Sequence, residues 1–243
     1  MTRPSLQPLA DAAPSDFAHV ALVLTDMDDT LTFDGRLAAD TYAALERLEK
    51  AGVRVVPITA APAGWCDQMV RMWPISAVIG ENGGFCFTRE GGCVKRTYWL
   101  APDALAEATL RLADIARSVT AAHPTARLAD DQPFRLTSLA IERPADDTLA
   151  RSIARHLKSA GADTTLNSIW VLAWFGGYDK ISAARKFLPA ATGLYVDRDR
   201  ERIVFVGDSA NDAPMFAHFP KTAGVSTVAE HLADIPRPPT WIT

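Results

Sequence analysis

The sequence predicts an α/β fold, in which helices cover both faces of a parallel sheet and a smaller α+β module is inserted into the chain. Short apolar runs alternate with helix-like segments towards both ends of the chain, and such continuous runs are typical of parallel strands buried on both faces. In the middle of the chain, apolar and polar residues alternate more, as they do in half-exposed strands. A length of 243 residues is sufficient for one large core and one smaller core.

The first part of the sheet is predicted from alternating strand and helix patterns. We expect strands over residues 20–24, 53–58 and 77–79, and helices over residues 39–51 and 64–73. This alternation predicts right-handed crossovers and therefore a parallel sheet. In the second helix, Trp65, Met69 and either Met72 or Trp73 lie at helical spacing, so we expect them on a buried face.

The middle of the chain is predicted to form the inserted module. Residues 85–87 and 94–98 flank a Glu-Gly-Gly turn, which is typical of a hairpin. Further helices are expected over residues 102–122 and 147–160, and further strands over residues 134–141 and 168–175. We therefore predict an inserted domain over residues 85–175, with Gly176 and Gly177 as a hinge back to the first domain.

The last part of the chain returns to the first domain. We expect a helix over residues 179–187, strands over residues 202–206 and 222–225, and a short helix over residues 228–232. The core domain is thus predicted to comprise residues 19–84 and 176–243. Residues 1–18 contain several prolines among small and polar residues, and we expect a flexible leader there.

The composition excludes some classes of partner. A net charge of −4 gives no electrostatic reason to expect nucleic acid or an anionic membrane as a partner. No apolar segment has the length of a membrane span. Cys66, Cys86 and Cys93 lack the paired spacing of a zinc site, so we expect free thiols in a reducing compartment and a cytoplasmic protein.

An acidic stretch directly follows the first predicted strand. Asp26, Asp28 and Asp29 lie within four positions, where the strand leaves the core. Ligands of open parallel sheets bind beyond the carboxyl ends of the strands, and crowded carboxylates there require a cation or protons. The alternative is an acidic loop in which one aspartate caps a turn or a helix. The stretch alone is compatible with both interpretations.

Further polar residues are predicted at or near the same edge of the sheet. Thr59 follows the second strand, Lys180 follows the hinge, and an acidic turn follows the strand at 202–206; its polar residues are Asp208, Asn211 and Asp212. Individually, these residues are ordinary caps, turns or solvated side chains. Together they provide the carboxylates, the ammonium group and the hydroxyl that phosphoryl transfer requires. Oxygen ligands without His or Cys favour Mg²⁺.

Two of these stretches resemble motifs of a known family. Residues 26–32 resemble the first motif of the haloacid dehalogenase-like (HAD) hydrolases, and residues 207–212 resemble the fourth. Residues 81–84 and the length of the insert are similar to subclass IIB, which has a type C2B cap domain. That subclass includes Cof-type phosphatases and the mannosyl-3-phosphoglycerate, sucrose-phosphate and trehalose-phosphate phosphatases. The resemblance implies a Rossmann-like core with residues 85–175 as its cap.

The resemblance also implies roles for individual residues. Asp26 would be the nucleophile that forms an aspartyl-phosphate, and Asp28 would protonate the leaving alcohol and then activate water. Mg²⁺ would be held at Asp26, Asp208 and the carbonyl of Asp28, with Asp212 supporting the metal site. The phosphoryl group would be bound by Thr59, Lys180 and Asn211.

The chain departs from the family pattern at one position. Many relatives follow the second-motif Thr with Gly-Arg, whereas Thr59 is followed by Ala60 and Ala61. This difference concerns how the substrate or the cap is oriented and does not concern the nucleophile or the metal. Within the cap, polar or aromatic candidates for substrate contacts are Arg135, Arg143, His156 and Trp170.

The sequence therefore predicts a Mg²⁺-dependent phosphatase that acts on a small phosphorylated metabolite, with sugar phosphates as the expected class. One alternative is a phosphosugar mutase, which would return the phosphoryl group to a sugar. Another is a non-catalytic regulatory protein that accepts a phosphoryl group or binds a metal, although a receiver domain of that kind needs no second domain. We expect a monomer or a weak homodimer.

Overall fold

The strands and helices are described for residues 6–243 of a computed structural model. The strands are Gln7–Pro8 (β1), Leu22–Thr25 (β2), Thr32–Phe33 (β3), Arg36–Leu37 (β4), Arg54–Pro57 (β5), Ala77–Gly80 (β6), Phe85–Glu90 (β7), Cys93–Tyr98 (β8), Ser138–Glu142 (β9), Asp163–Leu166 (β10), Trp170–Trp174 (β11), Ile203–Gly207 (β12), Lys221–Gly224 (β13) and Trp241–Ile242 (β14). The α-helices are Ala39–Lys50 (α1), Ala63–Met72 (α2), Pro102–Ala122 (α3), Asp147–Ser159 (α4), Lys180–Thr192 (α5) and Ala213–His218 (α6).

The main sheet has the strand order β1-β14-β13-β12-β2-β5, and every pair in it is parallel. Both faces of strands β2 and β12 are covered, and their apolar side chains Leu22, Leu24 and Phe205 are fully buried. Phe205 packs edge-on against Phe216 of α6, with 5.4 Å between the ring centroids. The predicted α/β class with a parallel sheet is confirmed, and β2 and β12 end side by side at the edge that carries the acidic residues.

The third predicted strand departs from this sheet. β6 pairs antiparallel with β7 in a separate sheet of order β6-β7-β8, and it meets β5 only through the parallel bridge between Ile58 and Ile79. The physical reason is the turn at Glu81–Gly83, where positive φ angles fold the chain back so that β7 takes the hydrogen bonds of β6. The hairpin of β7 and β8 is confirmed, and it hydrogen-bonds to a strand of the core rather than to the insert.

The predicted buried face of α2 was wrong in part. Trp65 and Met72 are 48% and 66% exposed, whereas Met69 is buried together with Cys66 and Val70. The buried stripe is shifted towards the small residues of the helix, which allow it to lie close to the sheet. Trp65 instead stacks on Phe134 of the insert, with 5.8 Å between the ring centroids.

The insert has its own antiparallel sheet of order β10-β11-β9. Helices α3 and α4 cover one face, where Ile115, Ile153 and Val171 belong to a separate apolar cluster. The opposite face meets the core domain in a cluster that includes Ala60 and Leu172. Strand β10 was not predicted, and the predicted strand over residues 134–141 begins only at Ser138.

Both ends of the described chain lie at one edge of the main sheet. Gln7–Pro8 pairs with Trp241–Ile242, and Phe17 contacts Trp241 with 5.1 Å between the ring centroids. Within residues 6–18 of the predicted flexible leader, β1 therefore joins the sheet and Phe17 packs on it; residues 1–5 lie outside the described residues. None of the helices within residues 6–243 combines the length and apolar character that crossing a bilayer requires.

Candidate active site

The carboxylates predicted from distant parts of the chain meet at the end of the main sheet. Asp26 directly follows β2, and Asp208 directly follows β12. The amide of Asp26 donates to the carbonyl of Val206 at 2.9 Å, which aligns the two strand ends. One carboxylate oxygen from each of Asp26, Asp208 and Asp212 lies within 4.8 Å of the others.

A buried ammonium group lies among these carboxylates. Lys180 Nζ is 3.0 Å from Asp26 Oδ2 and 2.7 Å from Asp212 Oδ1, and its side chain is 6% exposed. Lys180 is the first residue of α5, whose start is fixed by Asp179, because the Asp179 carboxylate accepts a hydrogen bond from the amide of Ser182 at 2.8 Å. The beginning of this helix therefore determines where the ammonium group lies.

The acidic turn after β12 is organised by Asp212. Its Oδ2 accepts hydrogen bonds from the amides of Asp208 and Ser209 at 3.1 and 3.4 Å, while its Oδ1 accepts from Lys180. Any side chain at Gly207 would collide with the Asp212 carboxylate, so a glycine is required there. Both oxygens of Asp212 are thus engaged by the protein.

Asp208 and Asn211 face the cavity beside this turn. Asp208 Oδ1 accepts a hydrogen bond from the hydroxyl of Thr30 at 3.1 Å, and Asn211 Oδ1 accepts one from Ser209 Oγ at 2.8 Å. The side-chain amide of Asn211 is therefore oriented by its neighbour in the turn.

Thr59 is placed differently from the other predicted site residues. Its side chain is fully buried, and its hydroxyl accepts a hydrogen bond from the amide of Ala61 at 3.0 Å. Within residues 6–243, Thr59 makes no hydrogen bond to the carboxylates of the site. It is Ala60, the next residue, that lines the cavity above Asp26 and Asp28.

Two connected cavities lie between the core and the insert. The small one has a volume of about 20 Å³ and lies between Asp26 and Asp28 on one side and Asn167 and Ser168 of the insert on the other. A larger cavity of about 500 Å³ continues from it along Asp208 and Asn211. Its remaining lining comes from both domains, and most of these residues have polar or charged side chains: Asp29, Arg143, Asp147, Arg151, Leu166, Asn167, Ser168, Ser209, Ala210, Thr227, Glu230, His231 and Asp234.

Burial raises the proton affinity of the carboxyl groups. Burial raises the pKa of Asp26 to about 7, even though the charge of Lys180 opposes the rise. Burial, together with the negative charges of Asp26 and Asp29, also raises the pKa of Asp28 to about 7. Burial and the charge of Asp212 raise the pKa of Asp208 to about 6.

The pKa of Lys180 is also raised, but by neighbouring charges and not by burial. Burial alone would lower the pKa of its ammonium group, but the carboxylates of Asp212 and Asp26 outweigh burial and raise that pKa above its ordinary value. Lys180 therefore stays charged, and the single ammonium group leaves most of the negative charge of the site uncompensated.

This donor set fits a magnesium ion. The oxygens are hard ligands at mutual distances that one small cation can span, and the mutual repulsion of the ionised carboxylates would be relieved by such a cation. Asp26 and Asp208 would hold the ion, together with the carbonyl of Asp28. Because Asp212 is already engaged through both oxygens, it would support the ion through Lys180 and the turn.

The insert contributes contacts that the sequence did not indicate. Ser168 Oγ donates to Asp29 Oδ2 at 3.3 Å, so the turn between β10 and β11 lies directly over the acidic loop. Asp29 has a positive φ of 57°, a conformation that a turn aspartate tolerates. The sequence signal for this contact was a polar Asn-Ser turn between two strands. The direction in which that turn points depends on how the insert packs.

The four predicted cap candidates lie in different places. Arg143 lines the larger cavity. Arg135 and Trp170 are buried on the side of the insert that faces the core domain, beside Ala60. His156 does not line either cavity, and its Nε2 lies 2.9 Å from Ser118 Oγ on α3.

Comparison with known proteins identifies the fold. No family model matches the chain, and no curated protein matches it. Solved structures match over most of its length. A haloacid dehalogenase-like hydrolase from Bacteroides thetaiotaomicron has a TM-score of 0.68 at 14% identity, over 92% of this chain and 94% of that one.

Two phosphatases are also similar in structure. BT1666 from Bacteroides thetaiotaomicron, a phosphatase of the HAD superfamily, has a TM-score of 0.61 at 18% identity, over 96% of this chain and 93% of that one. BT4131, a sugar phosphatase of HAD subclass IIB, has a TM-score of 0.63 at 12% identity, over 92% of this chain and 93% of that one. The resemblance seen in the motifs therefore extends to the whole fold.

Proposed function

We propose, from the haloacid dehalogenase-like fold that the chain adopts, that it is a Mg²⁺-dependent phosphatase of small phosphorylated metabolites, with Asp26 as the nucleophile. The observation that carries this proposal is the contact between Asp26 and Lys180 at 3.0 Å, at a strand end shared with Asp208. A carboxylate held beside an ammonium group and a cation site is suited to attack the phosphorus of a phosphate monoester.

Asp26 is oriented for this role by its own backbone. Its Oδ1 accepts a hydrogen bond from the amide of Met27 at 2.8 Å, and its Oδ2 faces Lys180. Lys180 holds the carboxylate in position and offsets charge that develops on the phosphoryl oxygens. When bound, Mg²⁺ would supply further charge compensation and help to keep Asp26 ionised.

Asp28 is suited to proton transfer. A pKa near 7 allows the carboxyl group to give a proton to the leaving oxygen and to take one from water afterwards. It lines the small cavity together with Asp26, so both groups reach the same space. One carboxyl group attacks and its neighbour exchanges the proton.

Sugar phosphates are the substrate class that the larger cavity supports best. A volume of about 500 Å³ is sufficient for a small sugar, and Leu166 and Ala210 are its only apolar lining residues within the described chain. Such a lining offers hydrogen-bond donors and acceptors to hydroxyl groups, and the imidazole of His231 is its only aromatic ring within residues 6–243. The printed name of BT4131, a sugar phosphatase, agrees with this proposal.

The proposal is tested by measuring phosphate release from an aryl phosphate and from a panel of sugar phosphates. We expect multiple turnovers that EDTA abolishes and Mg²⁺ restores, and no turnover by Asp26→Asn. Asp197→Asn is the matched control, because Asp197 is an exposed carboxylate that pairs with Arg185 on the surface. Undiminished activity of Asp26→Asn would contradict the proposed nucleophile.

The same assay separates the alternatives. Conversion of one sugar phosphate into an isomer, with little free phosphate, would identify a mutase. Uptake of one phosphoryl group without turnover on any substrate would identify a regulatory protein.

A further inference from the structure

Arg135 of the insert is bound to the loop that carries Thr59. Its side chain is completely buried, and Nη1 donates to the carbonyl of Ala60 at 3.0 Å. Nε and Nη2 donate to the two oxygens of Asp131 at 3.0 and 2.8 Å, which is a bidentate pair. The guanidinium group also lies 4.8 Å from the ring centroid of Trp170, at the start of β11.

The contact with Ala60 completes the hydrogen bonds of the loop. The carbonyl of Thr59 accepts from the amide of Asn82 at 2.9 Å, and that of Ala61 accepts from the amide of Glu81 at 3.1 Å. Both donors belong to the core domain. The carbonyl between them accepts from Arg135, so a side chain of the insert fixes the middle of the loop.

The segment around Arg135 is itself held against the core. Glu81 is fully buried, and its carboxylate accepts from the amides of Leu136 and Thr137 at 2.9 and 2.7 Å and from the hydroxyl of Ser138 at 2.8 Å. Arg135 Nη1 also lies within 3.3 Å of Ser138 Oγ. The guanidinium group is therefore held in place from several sides.

A contribution to folding stability does not explain why the ion pair of Arg135 and Asp131 is buried at this position. Removing two charges from water costs several kcal/mol, and an apolar pair of similar volume is often equally stable or more stable. Arg135 and Asp131 are nevertheless buried directly beside Ala60, which lines the cavity above Asp26 and Asp28. The location indicates a role in the site.

We propose that Arg135 is a positioning residue, which fixes the loop Thr59–Ala61 relative to the insert and so determines how tightly the site binds the phosphoryl group. The proposal rests on the proposed function. It predicts that loss of Arg135 weakens the binding of every phosphorylated ligand by a similar factor, because Ala60 of the loop lines the cavity above Asp26 and Asp28, where the phosphoryl group that all ligands share would lie.

The test compares Arg135→Lys and the double variant Arg135→Met with Asp131→Leu against the wild-type protein. The double variant removes both charges, so that no buried carboxylate is left unpaired and the protein is expected to fold. Arg111→Met is the matched control, because Arg111 also lies over an aromatic ring of the insert, that of Phe175, on an exposed part of α3.

We expect the double variant to raise the KM for an aryl phosphate and the inhibition constant of orthophosphate by about 10-fold or more, with a smaller change in kcat. Its unfolding temperature is expected to stay close to that of the wild type. Arg135→Lys keeps the charge but cannot reach Asp131 and Ala60 together, so we expect the same weakening. Unchanged KM and inhibition constants in the double variant would overturn the proposal, as would full recovery by Lys.

A second measurement separates this proposal from the proposed function. Hydrogen exchange of the amides of residues 59–61 is expected to become faster in the double variant and to remain unchanged in Arg111→Met. If the wild type hydrolyses no phosphate ester, the proposed function fails. The exchange data still show whether Arg135 positions the loop Thr59–Ala61. Unchanged exchange would overturn the role of Arg135 even in an active enzyme.

Discussion

At the residue scale, the site is a set of buried carboxylates held by one ammonium group. Asp26 and Asp212 both contact Lys180, while Asp208 lies beside them and forms no ion pair with any of residues 6–243. The negative charge of these carboxylates is compensated only when a second positive charge is present. Two consequences of this imbalance can be measured without any substrate.

Replacing Lys180 is the first of these measurements. In Lys180→Met, the carboxylates of Asp26 and Asp212 are left buried and unpaired, so we expect a loss of about 3–5 kcal/mol in the free energy of unfolding without metal. Mg²⁺ is expected to restore part of that loss, while kcat falls by about 10²-fold or more. Lys186→Met on the same helix is the control, because its exposed Nζ donates to the carbonyl of Trp99 and lies over the Trp99 ring, with no carboxylate as its partner among residues 6–243. Equal stability of the two variants would contradict the account.

The second measurement is the pH dependence of stability without metal. Folding raises the pKa of Asp26 and Asp28 to about 7 and that of Asp208 to about 6, so the folded protein binds more protons than the unfolded chain between about pH 4 and 7. The stabilisation by these protons is complete below the unfolded pKa values and is lost as the pH rises through 6 to 7. In EDTA, urea unfolding is expected to show lower stability at pH 8 than at pH 5.

Mg²⁺ provides the control for this pH effect. An ion that binds only the folded protein stabilises it, and carboxylates bind it only when they are ionised. We therefore expect Mg²⁺ to raise the unfolding temperature more at pH 8 than at pH 5. A larger effect of Mg²⁺ at pH 5 would contradict the assignment of the site.

The residues that the sequence could predict are those that follow strands. Asp26 and Asp208 each come directly after an apolar run, and parallel strands bring such positions together. Ser168 was not predicted, and Arg135 was named only as a candidate for substrate contacts, because Ser168 meets Asp29 and Arg135 meets Ala60 across the junction of the two domains. Contacts of that kind depend on how the insert packs, which no local pattern encodes.

At the element scale, helix α5 matters because its first residue is Lys180. The carboxylate of Asp179 caps the helix by accepting from the amide of Ser182, while the hydroxyl of Ser182 donates to the same carboxylate. In Asp179→Ala, we expect the free energy of unfolding to fall by about 1 kcal/mol and kcat to fall several-fold, because the helix start that places the ammonium group is loosened. Thermal unfolding and the aryl phosphate assay measure the two effects.

Asp146→Ala is the matched control for the helix cap. Asp146 caps α4 in the insert through a hydrogen bond from the amide of Thr148 at 2.8 Å, so the same kind of contact is lost. We expect a similar loss of stability with little change in kcat for a small aryl phosphate. If Asp179→Ala also kept the wild-type kcat, the position of Lys180 would depend on its ion pairs with Asp26 and Asp212 and not on the helix cap.

The predicted elements were most accurate where the periodic pattern was long. Helix α3 has the predicted bounds, since its apolar residues repeat over many turns and Pro102 opens it. The short strand β10 was missed because Asp163–Leu166 is polar and half-buried, and it forms a strand only through its pairing with β11. β6 was assigned to the parallel sheet because its apolar run does not reveal which neighbour it pairs with.

At the scale of the whole molecule, the two domains enclose the site between them. The cavity above Asp26 and Asp28 has a volume of about 20 Å³, which is room for roughly one water molecule. A phosphoryl group needs more space, so we expect the insert to move outward when a substrate enters and when product leaves. The contact between Ser168 and Asp29 is one that opening would break. Return of the insert to the closed position would exclude bulk water while the nucleophile attacks.

We propose that the two domains and the charge cluster serve one step, the transfer of a phosphoryl group to Asp26. Acid quenching during turnover of an aryl phosphate, followed by borohydride reduction and peptide mass spectrometry, tests this step directly because reduction converts an acyl phosphate into a stable alcohol. We predict that the reduced side chain is found at Asp26, only with Mg²⁺ present, and at no position in Asp26→Asn. Modification at another carboxylate, or rapid phosphate release without any modified peptide, would contradict the account.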